Sequence, residues 1–263
     1  MLKKWGVVAL MLLPLLAFAR NEKVASVCAE PERKRSCITV QIALALVFPG
    51  VRQTNAEVML SERRSARLVY LQPLSMAGSE LLALGITEVV EKDVATGSRL
   101  DCHGCAPNMI VSVFESTKGI WRLAGRSKEL DGVGGWGELH TYGIKTVDLG
   151  RRHLLVEMGT GFTGQGVTQT ASAYYLANLE PLERLRRSII DVGSISTGLY
   201  GCDGDPPAGI SQTEVLVLRR RDLMPHFLAV ETQTSCDGRQ AAESGTPVFY
   251  WINPKTLQIE RAQ

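Results

Sequence analysis

The sequence predicts an all-β protein, either an antiparallel sandwich or a propeller-like stack of small sheets, with at most one or two short helices. Three observations predict it. Apolar or alternating runs recur roughly every ten residues along the chain. Glycine-rich turns, drawn from 25 glycines, separate those runs. Few stretches place apolar residues at the i, i+3, i+4 spacing of a helix face. Short strands joined by tight turns bury their apolar faces by stacking sheet on sheet.

The first nineteen residues read as an export signal. Lys3 and Lys4 form a basic head, an apolar run covers residues 7–16, and Ala17-Phe18-Ala19 supplies small residues around a cleavage point. That run is too short for a bilayer that needs about twenty apolar residues. The expected division is therefore a signal peptide at 1–19 and a single exported β-rich domain at 20–263. No membrane span is expected after cleavage. Periplasmic or secreted localisation follows, with an oxidising environment for all six cysteines.

Of 29 basic residues, two lie in the leader, so the mature chain carries 27 basic residues against 27 acidic ones. A nucleic-acid binder would show a basic surplus gathered on one face, and that class is excluded. The basic clusters at 33–35, 63–64, 151–152 and 219–221 are short and scattered, as on solvated strand edges and loops. Roughly 244 mature residues are enough to bury a substantial core.

Residues 38–48 (ITVQIALALVF) alternate at their start and are read as the first strong strand. Further strands are expected at 66–72, 81–90, 109–115, 120–124, 153–158, 171–179, 213–218, 226–232 and 247–252. Residues 116–119 (STKG) predict a hairpin turn, and Asn253-Pro254-Lys255 a second turn. Residues 79–92 start with helical composition, but Gly85 and two β-branched pairs favour a strand. Residues 182–190 carry Leu182, Leu185 and Ile189 at helical spacing behind Pro181 and are expected to form a short helix. The glycine-rich stretches at 131–137 and 201–209 are the plausible internal boundaries.

Six cysteines in an exported chain predict three disulfides, with sequential pairing preferred: Cys28 with Cys37, Cys102 with Cys105, and Cys202 with Cys236. Cys102, His103 and Cys105 form the densest chemistry in the chain. Haem attachment fails because Ala106 follows the second cysteine. A metal site lacks a second ligand pair, and a redox site lacks a following helix to lower the thiol pKa. A structural bridge that pins a turn is expected there, with metal or thiol–disulfide chemistry as the competing reading.

The run CHGCAPNMIVSVFE, the Trp121-bearing segment IWRL after it and the Gly-Trp-Gly loop resemble a stretch of uncharacterised exported proteins from Gram-negative bacteria. The likeness covers about residues 100–140. It implies an exported bacterial β-protein and carries no activity.

Two G-x-G-x-x-G matches, at 132–137 and 159–164, lack the helix that would receive a pyrophosphate and are read as hairpin loops. Asp203-Gly204-Asp205 is interrupted by two prolines before it can make a calcium loop. No Gly-x-Ser-x-Gly is present. Glu138, Asp148 and Glu157 sit on expected strands without any fixed separation. Trp136, surrounded by glycines, is expected to tuck back into the core, and facing outward it would be a candidate anchor for a protein or glycan partner.

No catalytic residue and no cofactor are expected. The expected protein is a disulfide-stabilised, non-enzymatic binding or inhibitory protein of the bacterial envelope. Its partner would be another envelope or secreted protein, with saccharide as an alternative. The runner-up is a periplasmic thiol–disulfide or metal-binding protein that uses the CHGC segment.

Overall fold

An eight-residue apolar helix stands where alternation predicts a strand. In the computed structural model, which describes residues 26–28, 37–54, 57–74, 81–100, 106–132, 134–135, 138–139, 143–150, 152–164, 167–179, 188–202, 209–218, 225–236 and 247–262, two short strands β1 (Val27–Cys28) and β2 (Cys37–Ile38) pair and lead into α1 (Val40–Val47). Residues 38–48 satisfy both periods. Alternation lines up Ile38, Val40 and Ile42, while the helical period lines up Val40, Ala43, Leu44 and Val47. Local caps and packing settle the choice. Thr39 is the N-cap, its Oγ1 accepting from the Ile42 N–H at 3.3 Å. Arg126 donates to the Val47 carbonyl at 2.8 Å, a cation on the C-terminal carbonyls. Ala43, Leu44 and Val47 are buried.

Two antiparallel meanders follow. The first is a six-stranded sheet in chain order: β3 (Gln53–Thr54), β4 (Glu57–Ser61), β5 (Arg64–Leu74), β6 (Leu81–Glu91), β7 (Asn108–Thr117) and β8 (Ile120–Arg126). Residues 81–91 are strand, as Gly85 and the β-branched pairs suggested. The β7–β8 hairpin turns through Lys118 and Gly119, both with positive φ (54° and 79°), the two-residue turn whose twist suits the flanking strands.

The chain then crosses over through β9 (Gly134–Gly135) and β10 (Glu138–Leu139), within the glycine-rich stretch singled out from sequence. The second sheet has eight strands: β11 (Lys145–Gly150), β12 (His153–Gly164), β13 (Val167–Asn178), β14 (Ser188–Gly201), β15 (Gly209–Leu218), β16 (His226–Thr234), β17 (Val248–Ile252) and β18 (Ile259–Arg261). Register shifts between β13 and β14, at Thr170/Ala171 and Tyr174/Tyr175, bend the long β14, as bulges do. Beyond that bend β15 to β18 curl back as a half-barrel, and Gln258 after β17 donates to the Asp191 carbonyl of β14 at 3.1 Å.

Three cores result. Leu84, Ile86, Met109 and Val111 of the first sheet meet Leu154, Val156, Met158 and Tyr175 of the second. The outer face of the first sheet packs on α1 through Ala83, Val89, Ile110 and Phe114. The inside of the curl holds Leu155, Tyr174, Val192, Phe227 and Ile252. The central strand β6 is accordingly buried from Leu82 through Val90. Its Gly85 is required by packing, because a Cβ there would meet the Phe114 ring at 2.7 Å.

Two further expectations are corrected. Residues 188–190, expected as the end of a helix, are the start of β14, and 180–187 lie outside the described residues. The second G-x-G-x-x-G is not a loop. Gly159 to Gly164 continue β12, paired one to one with β13, because the ladder on Val167–Asn178 holds glycine in extended form.

Candidate interaction surface

Two of the three expected disulfides are present, Cys28–Cys37 and Cys202–Cys236. The first ties β1 to β2. The second links the residues that follow β14 and β16, closing one end of the curl. Cys102, His103, Cys105, Trp136 and the loop 203–208 lie outside the described residues, as do the arginines 219–221. Among the described residues no group of three or more histidine, cysteine or acidic side chains is placed to hold a metal ion.

The carboxylates considered for catalysis are occupied with structure. Glu157 is buried on β12, where its Oε1 accepts from Ser172 Oγ at 2.9 Å and lies 3.5 Å from Lys145 Nζ. Burial, and after it the Glu157 charge, pushes the Tyr174 phenol well above its ordinary range, so that phenol stays protonated. Asp148 accepts from the Gly150 N–H at 2.8 Å at the bulge of β11. The side chain of Glu138 lies outside the described residues.

The structure adds a buried ionic centre that sequence reading passed over. Glu88 on β6 is 2% exposed and is held by two arginines. Arg67 donates to its Oε1 at 2.7 Å, and Arg99 forks across both oxygens at 3.1 and 2.9 Å. A lone acid inside the apolar run 81–90 was the available signal. Nearby, a small cavity of about 180 Å³ is lined by Arg64, Leu100, Pro107 and Asn108. The Arg64 guanidinium is engaged by Glu129, which also accepts from Asn108 at 2.7 Å.

The most distinctive surface lies on the outside of the half-barrel. Register places Leu216, Leu228 and Phe249 side by side across β15, β16 and β17. The next row is Leu218, His226 and Trp251. Residues of the opposite parity, Val215, Val217, Phe227 and Ile252, point into the curl and pack there. Among the described residues the outward set is less covered: Leu216, Leu218 and Phe249 are 46%, 39% and 49% exposed, and Leu228, His226 and Trp251 are half-buried. Scattered exposed leucines are ordinary, but Leu216 and Phe249, joined through half-buried Leu228 on the strand between them, form a contiguous apolar patch, which marks contact surfaces. Alternation in the sequence locates these strands but does not tell which parity is covered.

At the disulfide-closed end an open trough of about 620 Å³ is lined by Ser196, Gly198, Ser211, Glu231, Gln233 and Thr234. Ser211 Oγ donates to Glu231 Oε1 at 2.5 Å, and Gln233 Nε2 approaches the same oxygen at 3.4 Å. Hydroxyls, an amide and one carboxylate suit a hydrogen-bonding, uncharged ligand. Comparison of the chain with protein-family models, with curated proteins and with solved structures finds no match.

Proposed function

We propose that this is an exported binding protein of a bacterial envelope that acts by non-covalent recognition rather than catalysis, docking another envelope or secreted protein on the outer face of β15 to β17. The observation that carries the reading is the apolar row of exposed Leu216, half-buried Leu228 and exposed Phe249, set on a sheet that the Cys202–Cys236 disulfide closes at one end. A chain able to bury Val215, Val217 and Phe227 on one side of these strands leaves their other side apolar at a cost in solubility, and a contact that covers it offsets that cost. The leader-like residues 1–19, and the resemblance of residues 100–140 to exported Gram-negative proteins, support the compartment.

The test is expression from the full gene in a Gram-negative host, with Phe249→p-benzoylphenylalanine as a photo-crosslinking probe. The expected result is an envelope fraction whose chain starts near Arg20 and yields one discrete protein adduct. The same probe at Ile120, exposed on β8, serves as the control and yields none. A cytosolic chain that keeps Met1, or a position-249 probe that does no better than the control, overturns the reading.

A saccharide partner is favoured by one observation, the hydroxyl- and amide-lined trough around Glu231. On that reading an array of neutral oligosaccharides retains the mature protein and loses it on Glu231→Gln. Equal retention of both forms, or of neither, removes it.

A further inference from the structure

The half-barrel has an open strand edge, and it coincides with the apolar patch. β15 pairs with β14 only through Gly209, Ile210, Ser211 and Gln212, and with β16 from Ile210 to Leu218. From Thr213 to Leu218 it therefore has a strand neighbour on one side. Among the described residues no other strand and no further backbone hydrogen bond occupies the other side. Six residues give an edge of about 20 Å. Natural edges are blunted by lysine, proline, a bulge or brevity. Thr213 to Leu218 read Thr-Glu-Val-Leu-Val-Leu, have no register shift against β16 and carry a single charge, Glu214, with the basic cluster 219–221 following only after the six residues end.

We infer that two copies of this chain join along this edge, β15 against β15 in antiparallel register about a two-fold axis. The inference deepens the proposed docking reading, on which it rests for its functional meaning. An isologous contact needs a self-complementary segment. A register centred on Leu216 sets Val215 of one copy opposite Val217 of the other, and Glu214 opposite Leu218, so no like charges meet. The mature chain has 27 basic and 27 acidic residues, so net charge does not oppose self-association. The axis runs normal to the sheet and keeps both outer faces on the same side. The rows Leu216, Leu228 and Phe249 of the two copies then run on as one apolar strip. One copy's row alone falls well short of the roughly 800 Å² per partner that a stable interface buries, and joining doubles it.

The test is sedimentation velocity of the oxidised mature chain from about 1 to about 200 µM, with hydrogen exchange at both ends of that range. A concentration-dependent dimer is expected, in which the amides of Thr213 to Leu218 exchange at least about tenfold more slowly than in the monomer. Leu216→Lys sets two ammonium groups against each other at the axis and weakens association by about tenfold or more. Phe249→Lys, two strands in from the edge, leaves association within about twofold. A monomer at every concentration, a dimer indifferent to Leu216→Lys, or a dimer with no added protection over 213–218 overturns the inference. If the chain is monomeric yet gives the position-249 adduct, the pairing fails and the docking reading survives. A dimer without that adduct keeps the pairing and removes the docking of a different protein.

Discussion

Glu88 gives the sharpest quantitative test of how the first sheet is held. The perturbation is Glu88→Gln, which keeps shape and one acceptor but removes the charge shared by Arg67 and Arg99. Breaking a buried ion pair from one side costs about 3–5 kcal/mol when the orphaned charge stays dry. Here the orphans are partly wet, with side-chain exposure of 48% for Arg67 and 25% for Arg99, so much of that penalty is recovered by water. The expected loss is about 2–3 kcal/mol. Arg99→Ala removes the fork on both oxygens and should cost about 1–2 kcal/mol. Arg67→Ala removes the more exposed partner and leaves the fork intact, for about 1 kcal/mol or less. The assay is urea unfolding with disulfides oxidised, the shift in midpoint being converted at unchanged m-value. The reasoning is refuted by a Glu88→Gln protein within about 0.5 kcal/mol of wild type, or by Arg67→Ala costing more than Arg99→Ala.

The remaining predictions test the staples, the packing and the acid limb. Removing the 34-residue Cys202–Cys236 link by a double serine substitution should cost about 4 kcal/mol, against about 2.5 kcal/mol for the 9-residue Cys28–Cys37 link, read from urea midpoints; the reverse order would contradict a chain-entropy origin. Gly85→Ala forces a methyl to 2.7 Å from the Phe114 ring and should cost about 1–3 kcal/mol, and combining it with Phe114→Leu should recover part of that loss. Glu57 is held below the usual carboxylate range: burial acts to raise it, and is outweighed by hydrogen-bonding and by the Lys92 ammonium 2.9 Å away. Its contribution is therefore present above the unfolded carboxylate value of about 4.3 and fades as pH falls through the depressed native value. Glu57→Gln should flatten the acid limb of a stability–pH curve, and an unchanged limb would show that the pair does not stabilise the fold.

The all-β class was legible because most strands carry one unambiguous period. Residues 109–115, 171–179 and 226–232 all fall inside strands or within a residue of their ends, and the 116–119 turn needed only Gly119 to be read. The misread elements are those where sequence offers two equal answers. Residues 38–48 are apolar on both the strand and the helix template, and the deciding partners, Thr39 at one end and Arg126 at the other, include a residue 79 positions away. Residues 159–164 look like a loop because glycine ordinarily breaks strands, yet pairing with β13 along their whole length supplies the order that glycine lacks. Glu88 was passed over for a related reason. A single acid in an apolar run reads only as a cost until two arginines from separate segments are known to reach it.

The interaction surface was illegible for a different physical reason. Strand alternation assigns residues to two faces but not which face is covered, and β15 reads Gly-Ile-Ser-Gln-Thr-Glu-Val-Leu-Val-Leu, apolar on both parities toward its end. What decides is the bend in β14. Its two register shifts swing β15 to β18 over β12 and β13, so Val215 and Val217 fill the curl while Leu216 and Leu218 are turned outward. The same bend limits β14–β15 pairing to four residues and frees the β15 edge beyond Gln212. Covered core, bare apolar row and open edge are thus three consequences of one local irregularity. Gly193 sits in that bend opposite Tyr174 at φ 108°, a conformation that a Cβ disfavours. Gly193→Ala should therefore alter the edge and the row together, either burying both or unfolding the half-barrel. Hydrogen exchange over 213–218 and photo-crosslinking at position 249 read the two features separately, and a variant that loses one while keeping the other would break the link.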